Sequence, residues 1–371
     1  MSDPRYKTLA SGLVNYSVAA KPGDKVLIEV TDVPTAFTEE LIRQVYAAGA
    51  YPFVETYKGK VEAALRSGTS EEHSKLLADF AGYRMSKMDC YIGVRGNENA
   101  YDLSGVPGDK ASLYSRLYSY PVHHEMRVKN TRWVVLRWPN DSMAQLSGEP
   151  TDSFEDFYFR VCCMDYAKMD RAMDALKALM DKTDKVRLVA KDTDLTFSIK
   201  GIGAVKCSGH MNIPDGEVYS APVKDSVNGR ITYNVPSIEN GTKFENVSLE
   251  FKNGKIISAT GNYPDKINAI FDTDEGARYV GEFAIGVNPF ITKAMGDILF
   301  DEKISGSIHF TPGCCYDDAF NGNKSAVHWD LVLIMTPEYG GGEIWFDDVL
   351  IRKDGLFVLP ELECLNPDKL K

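Results

Sequence analysis

The chain has 371 residues, of which 44% are hydrophobic, so it is long enough for two or three globular domains with sizeable cores. Its formal net charge of -11 repels phosphate backbones and anionic lipid, which argues against nucleic-acid and membrane partners. No apolar run reaches the roughly 18–20 residues that span a bilayer, and the first residues lack the apolar segment of a signal peptide. The seven cysteines include two adjacent pairs, a usage typical of reduced thiols, so a cytoplasmic location is expected.

The first half of the chain alternates between strand and helix patterns. Continuous apolar runs predict strands at 25–31, 89–96 and 131–138, and a helical stripe predicts a helix from Pro34 to Gly49. This rhythm predicts an α/β domain with a mostly parallel sheet over residues 1–183. No GxGxxG pattern follows the first strand, so a dinucleotide site is not expected.

Residues 152–182 carry apolar side chains at helical spacing and are predicted to form one long helix. Ser153 and Asp156 have the spacing of a weak capping box at its start. The apolar stripe is interpreted as a packed core face, so no cofactor is expected to bind there.

From about residue 185 the pattern changes to short strands separated by turns. Asn-Gly pairs at 228–229, 240–241 and 253–254 are turn signals, and the last predicts a tight hairpin. One helical segment is predicted near 263–276. We therefore expect a β-rich α+β C-terminal domain over residues 184–371, following the α/β N-terminal domain.

Two histidines of this second half lie in alternating segments. The stretch 303–310, KISGSIHF, is predicted to be a strand with His309 on its polar face. The stretch 324–331, KSAVHWDL, is predicted to be a second strand with His328 and Asp330 on one face, roughly 7 Å apart at Cα. That spacing lets both side chains reach one metal ion or two adjacent ones, although a lone strand histidine is usually structural.

Two glutamates strengthen the metal interpretation. Glu217 follows an Asp-Gly turn at the start of a predicted strand, and Glu282 lies between Val280 and Ala284 in an apolar strand. A glutamate buried in such a strand requires a partner, and a metal ion is one such partner. Tyr316, which follows a Pro-Gly turn, is unremarkable by itself.

Taken together, these residues and the segment 132–162, RWVVLRWPNDSMAQLSGEPTDSFEDFYFRVC, resemble the thermophilic metallo-aminopeptidase family, the group of aminopeptidase T, aminopeptidase S and PepS. The resemblance extends over nearly the whole chain. It implies an α/β domain followed by a β-rich catalytic domain, hydrolysis of N-terminal residues from peptides, and a homodimer with sites facing an enclosed cavity. It also implies two divalent ions (zinc, cobalt or manganese), whose ligands here are Glu217, Glu282, His309, His328 and Asp330.

The resemblance further implies a catalytic position for Tyr316. Our hypothesis is that two metal ions activate a water molecule, that Glu282 accepts its proton, and that Tyr316 donates a hydrogen bond to the tetrahedral oxyanion or completes the metal shell.

Three other interpretations stay open at this point. One is a mononuclear Fe(II) ring-cleaving dioxygenase, for which His309, His328 and Asp330 suffice as ligands. The others are a binding protein that retains the fold without catalysis and a purely structural metal site. Glu217 and Glu282 discriminate against the dioxygenase, because a two-histidine, one-carboxylate triad does not require them.

Overall fold

A computed structural model describes residues 3–99, 101–239 and 242–371. The Asn240-Gly241 turn predicted above lies outside the described residues. By its internal contacts the chain forms two compact units, the first containing residues 3–163 and 209–213, the second residues 164–208 and 214–371. The division into domains at residues 183 and 184 stays a prediction.

The strands are widely spaced along the first half of the chain and closely spaced after about residue 185, as predicted. They are β1 Lys25–Thr31, β2 Tyr51–Tyr57, β3 Cys90–Arg95, β4 Arg132–Arg137, β5 Lys185–Ala190, β6 Thr193–Ser198, β7 Val205–Cys207, β8 Asn212–Ile213, β9 Glu217–Ser220, β10 Asn228–Thr232, β11 Ser237–Glu239, β12 Thr242–Phe244, β13 Ser248–Lys252, β14 Lys255–Thr260, β15 Val280–Gly286, β16 Ser307–Pro312, β17 Val332–Ile334, β18 Gly342–Phe346, β19 Val349–Lys353 and β20 Leu356–Phe357.

Most of the helices precede residue 181. They are α1 Pro4–Gly12, α2 Thr35–Ala47, α3 Gly59–Ser67, α4 Glu71–Met85, α5 Gly108–Tyr114, α6 Asp141–Ser147, α7 Thr151–Cys162, α8 Tyr166–Met180, α9 Pro264–Phe271, α10 Ile298–Asp301 and α11 Pro367–Leu370, with π-helical segments at Leu13–Ser17 and Ser115–Val128. Within the described residues, no helix is both long and apolar enough to cross a bilayer.

The first unit contains a parallel sheet in the order β2-β1-β3-β4-β8. The central strands are apolar on both faces; in β1, Val26, Leu27 and Ile28 are all fully buried, as expected for a parallel sheet covered by helices. The predicted α/β class with a mostly parallel sheet is confirmed.

The single helix predicted over 152–182 is wrong, because the chain forms α7 and α8 with a break at residues 163–165. Asp165 begins α8, and its side chain accepts a hydrogen bond from the backbone N–H of Lys168. Ser153 lies inside α7, whose N-cap is Pro150, so the predicted capping box is also absent. Of the apolar stripe, Phe154, Val161 and Leu176 are buried, but the residues predicted beside them are only partly buried: Phe157, Met164, Ala172 and Leu179. Helical spacing alone did not locate the break.

The second unit is β-rich, as predicted. It contains an eight-stranded antiparallel sheet, β14-β13-β10-β6-β5-β18-β19-β20, and a five-stranded antiparallel sheet, β17-β16-β15-β9-β7. Asn253-Gly254 forms the predicted tight turn, with positive φ at both residues, whereas Asn228-Gly229 lies within β10 and is not a turn.

The core of the second unit lies between these two sheets. Phe197 of β6 in the larger sheet packs at 5.0 Å, ring centroid to ring centroid, against both Phe283 of β15 and Phe310 of β16. One face of the five-stranded sheet is therefore apolar. The alternation of side chains in its strands directs the neighbouring residues Glu282, His309 and Thr311 to the opposite face.

Candidate metal centre

The strand register of the five-stranded sheet brings the predicted residues together on that opposite face. Ala284 of β15 pairs with His309 of β16, and Glu282 pairs with Thr311. On the other side of β15, Glu217 of β9 pairs with Gly286. Gly286 is required at its position, because a side chain there would collide with the carbonyl oxygen of Ile304.

Glu217, Glu282 and His309 form one buried group. Their exposed fractions are 4%, 3% and 0%. His309 Nδ1 lies 3.4 Å from Glu217 Oε2, and His309 Nε2 lies 3.3 Å from Glu282 Oε1. Each ring nitrogen of His309 therefore faces a different carboxylate.

His328 and Asp330 complete the site from a segment that was predicted to be a strand. The structure contradicts the regular strand at 324–331, since only His328 forms a β-bridge there, to Gly313. The backbone is nevertheless hydrogen-bonded to its neighbour, from Cys314 N to Val327 O and from Trp329 N to Pro312 O. The predicted pairing of the two side chains holds, with His328 Nε2 at 3.2 Å from Asp330 Oδ1 and 3.4 Å from Glu282 Oε2.

Two contacts fix the orientation of this second pair. His328 Nδ1 lies 2.8 Å from the carbonyl oxygen of Cys314, so that nitrogen donates its hydrogen and Nε2 faces the carboxylates. Thr311 donates a hydrogen bond of 2.7 Å to Asp330 Oδ1. Such partners restrain ligand orientation in metal sites.

Tyr316 lies at the rim of the cluster. Its ring packs at 4.9 Å from the His328 ring and at 5.7 Å from Tyr219, and about half of the residue is exposed. Partial burial, followed by the charges of Glu282 and Asp330, raises the pKa of Tyr316 above its ordinary value. The phenol is therefore a neutral hydrogen-bond donor at physiological pH.

Three further charged residues adjoin the cluster and were not predicted as part of the site. Lys303 is 2% exposed and its ammonium contacts Glu217 Oε1, with Glu302 Oε1 at 2.7 Å and Asp215 Oδ1 at 3.8 Å. The sequence prediction placed Lys303 on a strand with His309, but β16 begins at Ser307 and Lys303 lies in the turn after α10. The only indication in the sequence that these residues adjoin the site was that Asp215 stands two positions before Glu217 and Glu302 directly precedes Lys303.

The protonation equilibria show that the cluster attracts positive charge. Burial alone would lower the pKa of His309, but Glu217 and Glu282 raise it to about 10. Burial likewise opposes protonation of His328, but Asp330 and Glu282 raise its pKa to about 12. Burial would raise the pKa of Glu282, yet the two histidines lower it below its ordinary value. Without a metal, protons on the imidazoles balance the carboxylates.

The side chains present fit a divalent metal ion. Nitrogen and oxygen donors converge in three overlapping groups, with the candidate ligand atoms of each group within 4.8 Å of one another. They are Glu217 with Glu282 and His309, Glu282 with His328 and Asp330, and Glu302 with His309 and Asp330. Among the described residues, several buried atoms of these groups lack a hydrogen-bond partner: Glu217 Oε2, His309 Nδ1, His309 Nε2 and His328 Nε2. Imidazole and carboxylate groups are suitable ligands for zinc and neighbouring metals.

Comparison with known proteins identifies the family. Residues 2–339 match the family described as thermophilic metalloprotease (M29). The chain belongs to this family. Membership confirms the predicted resemblance, the class of metallo-aminopeptidase hydrolases and the requirement for a divalent metal.

Relatives of known name include several aminopeptidases. Aminopeptidase PepS of Streptococcus thermophilus is 22% identical over 377 residues, which cover 86% of this chain and 90% of that protein. Aminopeptidase AmpS of Bacillus subtilis is 32% identical over 157 residues, so the alignment spans 38% of that relative's length. Aminopeptidase T of Thermus thermophilus is 31% identical over 139 residues, or 34% of its length.

Solved structures share the fold. Wild-type AmpT from Thermus thermophilus superposes with a TM-score of 0.77 at 20% identity, over 96% of this chain and 99% of that one. A 2,5-dihydroxypyridine dioxygenase from Pseudomonas putida KT2440 superposes with a TM-score of 0.64 at 14% identity, over 98% and 99%. One fold thus occurs in proteins named for two chemistries, so function has to be argued from the side chains of the site.

Proposed function

We propose that this protein is a metal-dependent aminopeptidase that removes N-terminal residues from peptides and holds two divalent ions. The observation that supports the proposal best is the pair of donor groups that overlap at Glu282. We assign Glu217, Glu282 and His309 to one ion and Glu282, His328 and Asp330 to the other.

Glu282 is placed to be shared because its two carboxylate oxygens face different imidazoles. Oε1 lies 3.3 Å from His309 Nε2, and Oε2 lies 3.4 Å from His328 Nε2. Glu282 would thus help to hold two ions, and such ions would supply a water molecule whose pKa is lowered toward about 7 and would polarise the scissile carbonyl. The further role of Glu282 as acceptor of the water's proton stays a prediction.

The charge of the cluster also supports two ions. Five carboxylates lie in or beside it: Asp215, Glu217, Glu282, Glu302 and Asp330. Burial raises the pKa of Glu302 to about 8, so this carboxyl group is mostly protonated at pH 7. The other four carboxylates and the ammonium of Lys303 leave three negative charges when the imidazoles are neutral. A single dication would leave one of these buried negative charges uncompensated, which is costly.

Tyr316 is assigned the role of hydrogen-bond donor to the substrate's oxyanion. It is the neutral phenol packed over His328, and its partial exposure places it where a peptide approaches the cluster. Removal of one such donor in other hydrolases costs about 100- to 1,000-fold in kcat. We expect Tyr316→Phe to lower kcat within that range while leaving metal content unchanged.

The proposal is tested by a panel of aminoacyl p-nitroanilides with free and acetylated N-termini, measured with and without a chelator. We expect hydrolysis of the free-amine substrates only, loss of activity on chelation and recovery with zinc, cobalt or manganese. Glu282→Gln should abolish turnover, whereas Glu275→Gln, the same change at an exposed position, should leave it intact. Hydrolysis at the wild-type rate by Glu282→Gln or by the chelated protein would refute the proposal.

The alternative Fe(II) ring-cleaving dioxygenase is less well supported by the site. Asp330 groups with His309 and Glu302 and also with His328 and Glu282, but no group among the described residues contains both histidines of the supposed triad. The fold shared with the dioxygenase does not decide the chemistry. Consumption of oxygen with dihydroxypyridine by the iron-loaded protein, without peptidase activity, would favour the alternative.

A further inference from the structure

Lys303 is a fully buried lysine that belongs to none of the proposed ligand groups. Its exposed fraction is 2%, and its ammonium contacts Glu217 Oε1 and lies 2.7 Å from Glu302 Oε1. A lysine can donate three hydrogen bonds but cannot bind a metal while it is protonated. Burial of such a charge next to a cation site requires an explanation.

The backbone around Lys303 is tied to the strand that carries Glu217. The backbone N–H of Asn288, a residue with no exposed surface, donates to the carbonyl oxygen of Lys303 at 3.0 Å. The Asn288 side chain donates to the carbonyl oxygen of Asp215 at 2.7 Å. Asn288 therefore fixes the lysine and the turn before Glu217 relative to each other. The turn itself requires Gly216, whose φ is +136° and whose missing Cβ would lie 2.9 Å from Asn288 Cβ.

The two carboxylate oxygens of Glu217 therefore have different surroundings. Oε1 is occupied by Lys303. Oε2 lies 3.4 Å from His309 Nδ1 and has no hydrogen-bond partner among the described residues. We infer that Lys303 is a positioning residue that holds Glu217 through Oε1, so that Oε2 alone is presented to the metal ion beside His309. This inference rests on the proposed metal site.

A second feature supports a positional role. Cys207, Asp215 and Glu217 also have candidate ligand atoms within 4.8 Å of one another, as in a metal site. The ammonium of Lys303 contacts Glu217 and lies 3.8 Å from Asp215, so it supplies a positive charge to two members of this group. Lys303 thereby keeps Glu217 turned toward one binding position and prevents a cation from binding on its other side.

Two roles of Lys303 predict opposite effects on metal affinity. If the lysine only balanced charge, its removal would leave the carboxylates more negative and the metal more tightly bound. If it positions Glu217, its removal frees the carboxylate to rotate, and loss of an orienting partner typically weakens metal binding by about 10- to 100-fold. The sign of the change therefore distinguishes the two roles.

In the experiment, a chromophoric chelator competes with the protein for zinc, which gives the zinc affinity of each variant. We expect Lys303→Met to weaken the binding of one zinc ion by about 10- to 100-fold and to lower kcat with little change in KM. Lys324→Met, which removes an exposed lysine of the same unit, should change neither quantity. If Lys303→Met does not fold, the double variant Lys303→Met, Glu302→Gln is compared with Glu302→Gln alone, because Glu302 itself lies within reach of His309 and Asp330. The double variant should then bind zinc about 10- to 100-fold more weakly than Glu302→Gln.

The outcomes separate this inference from the proposed function. Wild-type protein that binds no divalent ion and hydrolyses no aminoacyl amide overturns the proposed function and this inference with it. Wild-type protein that does both, together with a folded Lys303 variant whose zinc affinity is unchanged or higher, overturns the positioning role alone. Weaker zinc binding in the variant, with wild-type binding in Lys324→Met, supports it.

Discussion

His309 and His328 are held between carboxylates that raise the pKa of both imidazoles. A metal ion binds only a neutral imidazole, so each ring has to release its proton before it becomes a ligand. The same carboxylates thus stabilise protonated imidazoles when no metal is bound and stabilise the bound metal ions when metal is available. Metal affinity is therefore expected to rise with pH, because protons compete with the ions for the same nitrogens.

This competition can be measured by calorimetry in buffers that differ in their heat of ionisation. At pH 7, below the pKa of about 10 for His309 and about 12 for His328, metal binding should release about two protons per chain. His210→Gln, which removes an exposed histidine of the first unit, should leave the proton count unchanged. Binding with no proton release, or affinity independent of pH between 6 and 8, would contradict the protonated state of the metal-free site.

The residues of the site were predictable to different degrees. Glu217, Glu282 and His309 stand out because a charged or imidazole side chain in an apolar strand is unusual, and the register of adjacent strands brings them together. His328 and Asp330 keep a common face because any extended backbone alternates its side chains, even without a regular ladder. Lys303 and Glu302 could not be placed, since they reach the cluster from a turn whose course depends on the hydrogen bonds of Asn288.

At the scale of elements, the break between α7 and α8 shows what periodicity leaves out. Apolar spacing identified only part of the buried faces: Phe154, Val161 and Leu176 are buried, whereas Ala172 and Leu179 are only partly buried. The spacing continues across the three-residue break, which contains neither glycine nor proline. The side chain of Asp165, which caps α8, marks the new start, but the residue is equally common on an exposed helix surface.

The capping role of Asp165 predicts that two alanine substitutions lower the free energy of unfolding by different amounts. Asp165→Ala removes the acceptor of the Lys168 N–H and should lower the free energy of unfolding by about 1 kcal/mol. Ser153→Ala, at the position that the sequence pattern favoured as a cap, changes an exposed residue inside α7 and should stay within about 0.5 kcal/mol. Urea unfolding of the two variants checks both values. A larger loss for Ser153→Ala than for Asp165→Ala would show that the helix starts at the sequence-predicted cap.

At the scale of the whole molecule, the fold class of each half could be predicted, because the apolar pattern changes to short strands near residue 185. The order of the strands in the sheets was not predicted. The excess of acidic residues led to the expectation of no nucleic-acid or membrane partner, which stays a prediction, and it could not reveal that several carboxylates converge. That convergence depends on the register of β9, β15 and β16, which the sequence pattern does not specify. The expected homodimer, the cytoplasmic location and the identity of the metals stay predictions.

The most direct test of the paired metal centre is the metal content of the purified chain after dialysis, measured by mass spectrometry of the elements. The account predicts two zinc, cobalt or manganese ions per wild-type chain. It predicts one fewer in His328→Gln, since that change removes a ligand from the second donor group and leaves Glu217, Glu282 and His309 in place. A wild-type chain that retains a single iron ion, or no metal, would contradict it.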